Sequence, residues 1–434
     1  MTNSQIWPSP SRRRVLTGAV GLGVTMELLG APAWAAAETS SAHKRLVVII
    51  CRGGLDGLSL SPPVGDKDYA ALRGPIAIGS FSQGDGALKL DDTFGLHPSL
   101  AAVHTLAMRG EARIAPAVAT PDRERSHFEA QDVLESGGTV VYGTSSGWLN
   151  RALEVMGPAG SVKAISIGPT APLILRGRIE AASWSPGGGA ERDSRLPGIL
   201  QDLYAGDPLL GPALASGLAT QSMAKVATAD AVGLQSPAMG DGMPAGQADG
   251  GGGSEIRPLL NRGLPQARKM GATLAGFMTQ PDGERVAAVS LDNFDTHANQ
   301  GAAQGQLATR LAYVDAFIDG LARGLGPAWN DTLVVMATEF GRTARINGTG
   351  GTDHGTASTA LVLGGALKKG GIIGDWPTLA QARLFENRDT APTLDMRGLF
   401  KGVLRDHLGI DRAALDTKVF PDSAAVLPAG GIVA

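Results

Sequence analysis

The chain has 434 residues, 43% of them hydrophobic and 18% charged, which is enough apolar material for a substantial core and argues against a disordered chain. A formal net charge of -3 leaves no basic footprint for nucleic acid, and the single cysteine, Cys51, excludes an intrachain disulfide. The 61 glycines and 26 prolines imply many loops between short elements.

At the N-terminus, Ser11-Arg12-Arg13-Arg14-Val15-Leu16 precedes an apolar run from Thr17 to Gly30 and the small-residue stretch Ala33-Trp34-Ala35-Ala36-Ala37. This is the layout of a signal peptide with a twin arginine in its basic region. The run is short and Gly-rich for a membrane span, so cleavage is expected, with an uncleaved anchor as the alternative. Residues 1–37 are thus set apart from a region 38–434 destined for the periplasm or the exterior by way of the twin-arginine translocase.

Arg45 to Cys51 is a continuous apolar, β-branched run that reads as a buried parallel-type strand ending in a glycine turn. Ala112 to Ala119, weakened by Pro116, repeats the signal, as do Val162 to Ile167, Arg285 to Leu291, Thr332 to Thr338 and Ala360 to Leu363. Helical patterns fall between and after them at Ser126 to Glu135, Gly147 to Met156, Gln304 to Leu325 and Met396 to Leu408. The alternation predicts a doubly wound, mostly parallel α/β sheet with helices on both faces, and such sheets place functional groups beyond the carboxyl ends of their strands. A loop-rich insertion is expected over about 176–264, with Gly250-Gly251-Gly252-Gly253-Ser254 inside it.

Five constellations lie at those strand ends. In Arg52-Gly53-Gly54-Leu55-Asp56-Gly57, glycines permit close backbone approach and Asp56 offers a hard oxygen ligand, although a plain Asp-Gly turn explains it equally well. In Arg125-Ser126-His127-Phe128-Glu129, Ser126 sits where a helix dipole stabilises an alkoxide or oxyanion, and His127 adds a ligand or base. Ser126-x-x-Glu129 is also a capping box that needs no chemistry. Asp295 and His297, two residues apart in extended chain, point to one side and can share a metal. Glu339, leaving a buried strand, must be paired or ligating. Arg342 is its salt-bridge partner or an anion-binding fork. Asp353 and His354, bracketed by glycines, make a plausible metal corner. Acids and imidazoles at neighbouring strand ends suit one or two divalent cations, whether zinc, manganese, magnesium or calcium.

The series Arg-Gly-Gly-x-Asp-Gly, Ser-His-Phe-x-Ala-Gln-Asp, Gly147-Trp148-Leu149-Asn150-Arg151, Phe-Asp-Thr-His-x-Asn-Gln, Thr-Glu-Phe-Gly-Arg-Thr and Asp-His-Gly resembles the exported bacterial family catalogued as domain of unknown function 1501, from about Leu46 to Leu408. That resemblance implies an alkaline-phosphatase-like fold of the phosphatase and sulfatase superfamily. By motif order it implies Ser126 as nucleophile, with Asp56, Asp295, His297, Glu339 and His354 around one or two metals. The implied reaction is in-line attack on a phosphate or sulfate ester, the substrate being an anionic small molecule or envelope component. Glu339-Phe340 replaces the superfamily's usual Asp-His, and Cys51-Arg52-Gly53 does not fit the formylglycine motif of sulfatases. The alternative expectation is a non-catalytic exported binding protein with a degenerate metal site.

Overall fold

The computed structural model describes residues 43–157, 162–168, 172–184, 256–367 and 369–433, with the side chains of 256–262 left aside. The signal segment 1–37 and the Gly-rich stretch 250–254 lie outside the described residues.

A nine-stranded sheet organises the chain. Its strands are β1 (Arg45–Cys51), β4 (Ala112–Ala119), β5 (Ala164–Ile167), β6 (Ala181–Trp184), β7 (Val286–Leu291), β8 (Thr332–Ala337), β9 (Ser358–Leu363), β10 (Gly371–Ile372) and β11 (Leu394–Asp395). The order is β10-β4-β9-β8-β1-β7-β5-β6, with β11 also on β4, while β2 (Leu88–Lys89) and β3 (Gly95–Leu96) form a separate pair. The most hydrophobic run, β1, is central, between β7 and β8 and parallel to both. All its residues after Arg45 are buried, as a strand covered on both faces requires.

Helices cover both faces. Val47, Ile49 and Cys51 pack in one core with α3 (Ala101–Met108), α6 (Ile256–Thr279) and α7 (Gln306–Leu325). Leu46, Val48 and Ile50 pack in the other with α5 (Trp148–Met156) and α8 (Met396–Leu408). Adjacent residues of one strand thus feed opposite cores, and each fully buried Val, Leu or Ile contributes roughly 1.5–3 kcal/mol. The helices α1 (Gly57–Leu60) and α2 (Tyr69–Arg73) follow β1, and α4 (His127–Ser136) follows β4.

β9 runs antiparallel to both of its neighbours, β4 and β8, whereas the other pairings of this sheet are parallel. Its N-terminal end therefore lies at the same sheet edge as the C-terminal ends of β1, β4, β7 and β8, and segments preceding β9 meet segments leaving those strands. Pro116 is accommodated in β4 where the register with β9 shifts between Ala115 and Val118 and Ala117 takes φ 56°, a bulge that tolerates the missing N–H. Within the range 176–264 assigned to an insertion, β6 joins the sheet edge and α6 begins at Ile256, while 185–255 lie outside the described residues. No described helix is long and apolar enough to cross a membrane.

Candidate metal centre

The turn leaving β1 takes φ values of +113° at Gly53 and +63° at Gly54. A Cβ on Gly53 would stand 2.6 Å from the Asp295 backbone nitrogen, and one on Gly54 2.5 Å from the Phe340 ring. Both positions demand glycine for conformation and for space. Gly53→Ala is expected to lower stability by roughly 1–3 kcal/mol, read as a shift of the denaturant midpoint; an unshifted midpoint contradicts this account of the turn.

Glu339, fully buried at the exit of β8, is surrounded by donors. Its Oε1 accepts from the Gly53 backbone N–H at 2.8 Å, His127 Nδ1 at 2.8 Å and Gln131 Nε2 at 3.1 Å, and its Oε2 accepts from Thr338 Oγ1 at 2.9 Å. Burial pushes this carboxyl up, but the His127 bond and the other donors outweigh it and hold the group below the usual range.

Three imidazoles share one orientation. Each ring has one nitrogen on a backing acceptor and the other on a shared carboxylate. His127 directs Nδ1 to Glu339, His354 directs Nδ1 to the Arg125 carbonyl at 2.9 Å, and His297 directs Nδ1 toward Asp353 Oδ1 at 3.4 Å. Each Nε2 then faces Asp295. His297 Nε2 lies 2.9 Å and His354 Nε2 3.3 Å from Asp295 Oδ1, His127 Nε2 lies 3.4 Å from Oδ2, and the Nε2 atoms of His297 and His354 are 3.1 Å apart. His127 Nε2 is buried without a hydrogen-bond partner. Phe340 packs against the His127 and His354 rings at 4.8 Å from each, restricting their rotation.

Arg342 is buried and donates to Asp295 and to both the hydroxyl and the carbonyl of Thr352. Its ion-pair partner is Asp295 rather than Glu339. It fixes Asp295 instead, and although burial raises the Asp295 carboxyl, Arg342 brings it below the usual range.

Asp56 is hydrogen-bonded on both oxygens. It caps α1, accepting from the Leu58 N–H at 3.2 Å and Ser59 Oγ at 2.9 Å, and its Oδ2 also receives Gln300 Nε2 at 2.7 Å and the buried Arg73 guanidinium. These four donors surround it. Glu339, its oxygens likewise hydrogen-bonded, lies on the Nδ1 side of His127. Asp353, half exposed, accepts from Asn347 at 2.9 Å and flanks His297. Among the described residues, the group of side chains able to converge on one ion is His127, Asp295 and His354, with His297 Nε2 beside the latter two.

Ser126 is the N-cap of α4, yet its side chain makes no cap hydrogen bond, so the capping box expected with Glu129 does not form. Arg125 before it takes φ 58°, and Phe128 after His127 is 80% exposed. Gln131 and Gln300, quoted only within motifs, proved to be contact hubs. Gln131 follows His127 by four positions on one helix face, a spacing that makes neighbours. Gln300 Oε1 receives Thr296 and Thr352 hydroxyls at 2.8 and 2.9 Å, tying the Asp56 network to the loop that carries His354.

The His127–Glu339 pair also predicts a pH dependence. Hydrogen bonding to Glu339 first, then nearby carboxylate charge, raises His127 above its ordinary value. A raised histidine contributes stability that is lost as pH rises through its folded value, and a lowered glutamate contributes stability that is lost as pH falls through its own. Metal-free protein should therefore lose stability above the ordinary histidine range, as read by chemical denaturation in chelator. A denaturation midpoint constant across that range contradicts the pairing.

The family model described as protein of unknown function (DUF1501) matches residues 43–419. No curated protein matches the chain. Among solved structures it is similar to the C-terminal periplasmic domain of EptC from Escherichia coli (10% identity, TM-score 0.36, 87% of this chain and 86% of that one). It is also similar to the lipoteichoic acid synthase LtaP from Listeria monocytogenes (8% identity, TM-score 0.35, 88% and 76%) and to a 2-O GAG sulfatase (13% identity, TM-score 0.31, 88% and 73%).

Proposed function

The chain belongs to the DUF1501 family, whose description names no activity, and from the geometry of its site we propose that it is an exported, metal-dependent hydrolase of phosphate or sulfate esters. The observation that carries this reading is the convergence of three Nε2 atoms on Asp295 at 2.9, 3.3 and 3.4 Å. Donors about 2.0–2.2 Å from a tetrahedral ion stand roughly 3.3–3.5 Å apart, close to this spacing. The Nε2 atoms of His297 and His354, 3.1 Å apart, are held together by a proton or by a cation between them. His127 Nε2, buried and facing Asp295 Oδ2 at 3.4 Å without hydrogen-bond geometry, supports the same fit. The ligand set read here is the group His127, Asp295 and His354, with His297 as a fourth donor beside the latter two.

A divalent cation at this place, zinc being the best match to a nitrogen-rich set, supplies Lewis acidity toward an ester's phosphoryl or sulfuryl oxygen. The chain's own residues supply the rest. Asp295 and the partly exposed His297 leave one side open to a substrate. Ser126, uncapped at the positive end of α4 and adjacent to His127, is the candidate nucleophile. Arg342 holds Asp295 in place. The twin-arginine segment supports export of the folded protein through the translocase.

The test is a zinc, manganese, magnesium and calcium screen with generic phospho- and sulfo-esters, run on wild type and Ser126→Ala. Hydrolysis that needs metal and disappears in Ser126→Ala, with metal content unchanged, supports the reading; no turnover with any metal overturns it. One observation favours a second reading, a non-catalytic binding protein: four protein donors can fill a tetrahedral sphere, as structural sites do. Bound metal without hydrolysis of any ester supports that reading.

A further inference from the structure

Three sequence motifs meet at one buried carboxylate that is not among the four proposed ligands. The β1 turn sends the Gly53 N–H to Glu339, α4 sends His127 Nδ1 and Gln131 Nε2, and the residue following β8 supplies Thr338 Oγ1. We propose that Glu339 is a positioning residue: fixed by these donors, it locks the His127 ring and its tautomer so that Nε2 is presented to the cation. The inference rests on the metal-centre reading above.

The geometry explains features that a ligand role for Glu339 leaves without a reason. The oxygen that faces His127, Oε1, already serves three donors, and Oε2 is turned to Thr338 Oγ1. A fully buried anion at this place needs those donors to offset its lost hydration. Gly53 can reach it only through a backbone conformation and a closeness to Asp295 that exclude a side chain. Gln131, one helical turn after His127, holds the same oxygen from the same helix, so the imidazole and its acceptor move as one unit. His354 and His297 have equivalent backing from the Arg125 carbonyl and Asp353, but those acceptors lie on loops and Asp353 is half exposed. Glu339 is the rigid member of the three. Carboxylates that back a ligating histidine in this manner typically change metal affinity by 10–100-fold when altered.

The experiment measures Co²⁺ affinity by chelator competition for the full chain as wild type, Glu339→Gln, His127→Ala and the double variant. Glu339→Gln is expected to weaken binding about 10–100-fold in the wild-type background and to have almost no further effect once His127 is gone, because Glu339 acts through that ring. Equal losses in both backgrounds overturn the inference while leaving the metal centre standing. Wild-type protein that takes up no metal overturns the centre itself. Should Glu339→Gln not fold, Gln131→Leu carries the same cycle with a smaller expected loss. The ¹⁵N shifts of His127 in metal-free wild type at alkaline pH add a readout independent of any substitution at Glu339. A proton on Nδ1 supports the inference, and a proton on Nε2 overturns it.

Discussion

Asp295→Ala is expected to leave the folded protein without bound metal and to destabilise the metal-free protein by about 2–4 kcal/mol. The two losses have different origins. Metal is lost because Asp295 is the side chain that all three Nε2 atoms approach; without it the site is three imidazoles with no anionic charge in direct contact. Stability is lost because Arg342, with no exposed side-chain surface, keeps only the neutral hydroxyl and carbonyl of Thr352. Removing one partner of a fully buried pair typically costs about 3–5 kcal/mol; the Asp295 side chain is 38% exposed, so water offsets part of that cost. Asp295→Asn separates the effects, since it keeps an acceptor for Arg342 but not the charge. It should lose most of the metal affinity and little of the stability. Metal analysis after dialysis and chemical denaturation in chelator read the two quantities independently. Asp295→Ala retaining metal at wild-type affinity would remove the central claim of the site.

Six strands, β1, β4, β5, β7, β8 and β9, were legible as short apolar runs, and α4, α5, α7 and α8 because apolar residues recur along them; β6, β10 and β11, of two to four residues, are too short to carry such a signal. Direction was not legible. Hydrophobic runs carry no polarity, and the reversal of β9 follows from its connection: a parallel neighbour needs a crossover, usually helical, and no helix lies between β8 and β9. The missing helical pattern from Glu339 to Ala357 was the available signal. His127, Asp295, His297 and His354 were visible as chemistry at strand ends. Asp56, Glu339 and Arg342 were equally visible, but their roles depend on whether partners elsewhere in the chain have already filled their valences. Gln300 reaches Asp56 from 244 positions away and Glu339 reaches Gly53 from 286. Sequence shows which groups arrive at the sheet edge, and only the tertiary fold shows which arrive unencumbered.

That difference is sharpest at Asp56, where motif order implies a metal ligand and the structure shows an ion pair with Arg73, neither side chain being more than 1% exposed. Asp56→Ala is expected to cost about 3–5 kcal/mol, because Arg73 would keep only Ser59 Oγ and the Thr343 carbonyl, at 3.0 and 3.3 Å, and α1 would lose its cap. The metal content of whatever remains folded should be unchanged, since Asp56 is held away from the centre by four donors. Misfolding could obscure that comparison, so the decisive variant removes both charges. Asp56→Leu combined with Arg73→Met replaces a buried pair by apolar groups, a change that is often far milder than breaking it. Gln300 loses one acceptor in that variant but keeps its bonds to Thr296 and Thr352, so the loop carrying His354 stays anchored. The double variant should therefore recover much of the stability lost by Asp56→Ala and bind metal with nearly wild-type stoichiometry, read by denaturation and elemental analysis of the same preparation. A folded double variant stripped of metal would return Asp56 to the ligand set and place the cation deeper, beneath α1, rather than among the three histidines.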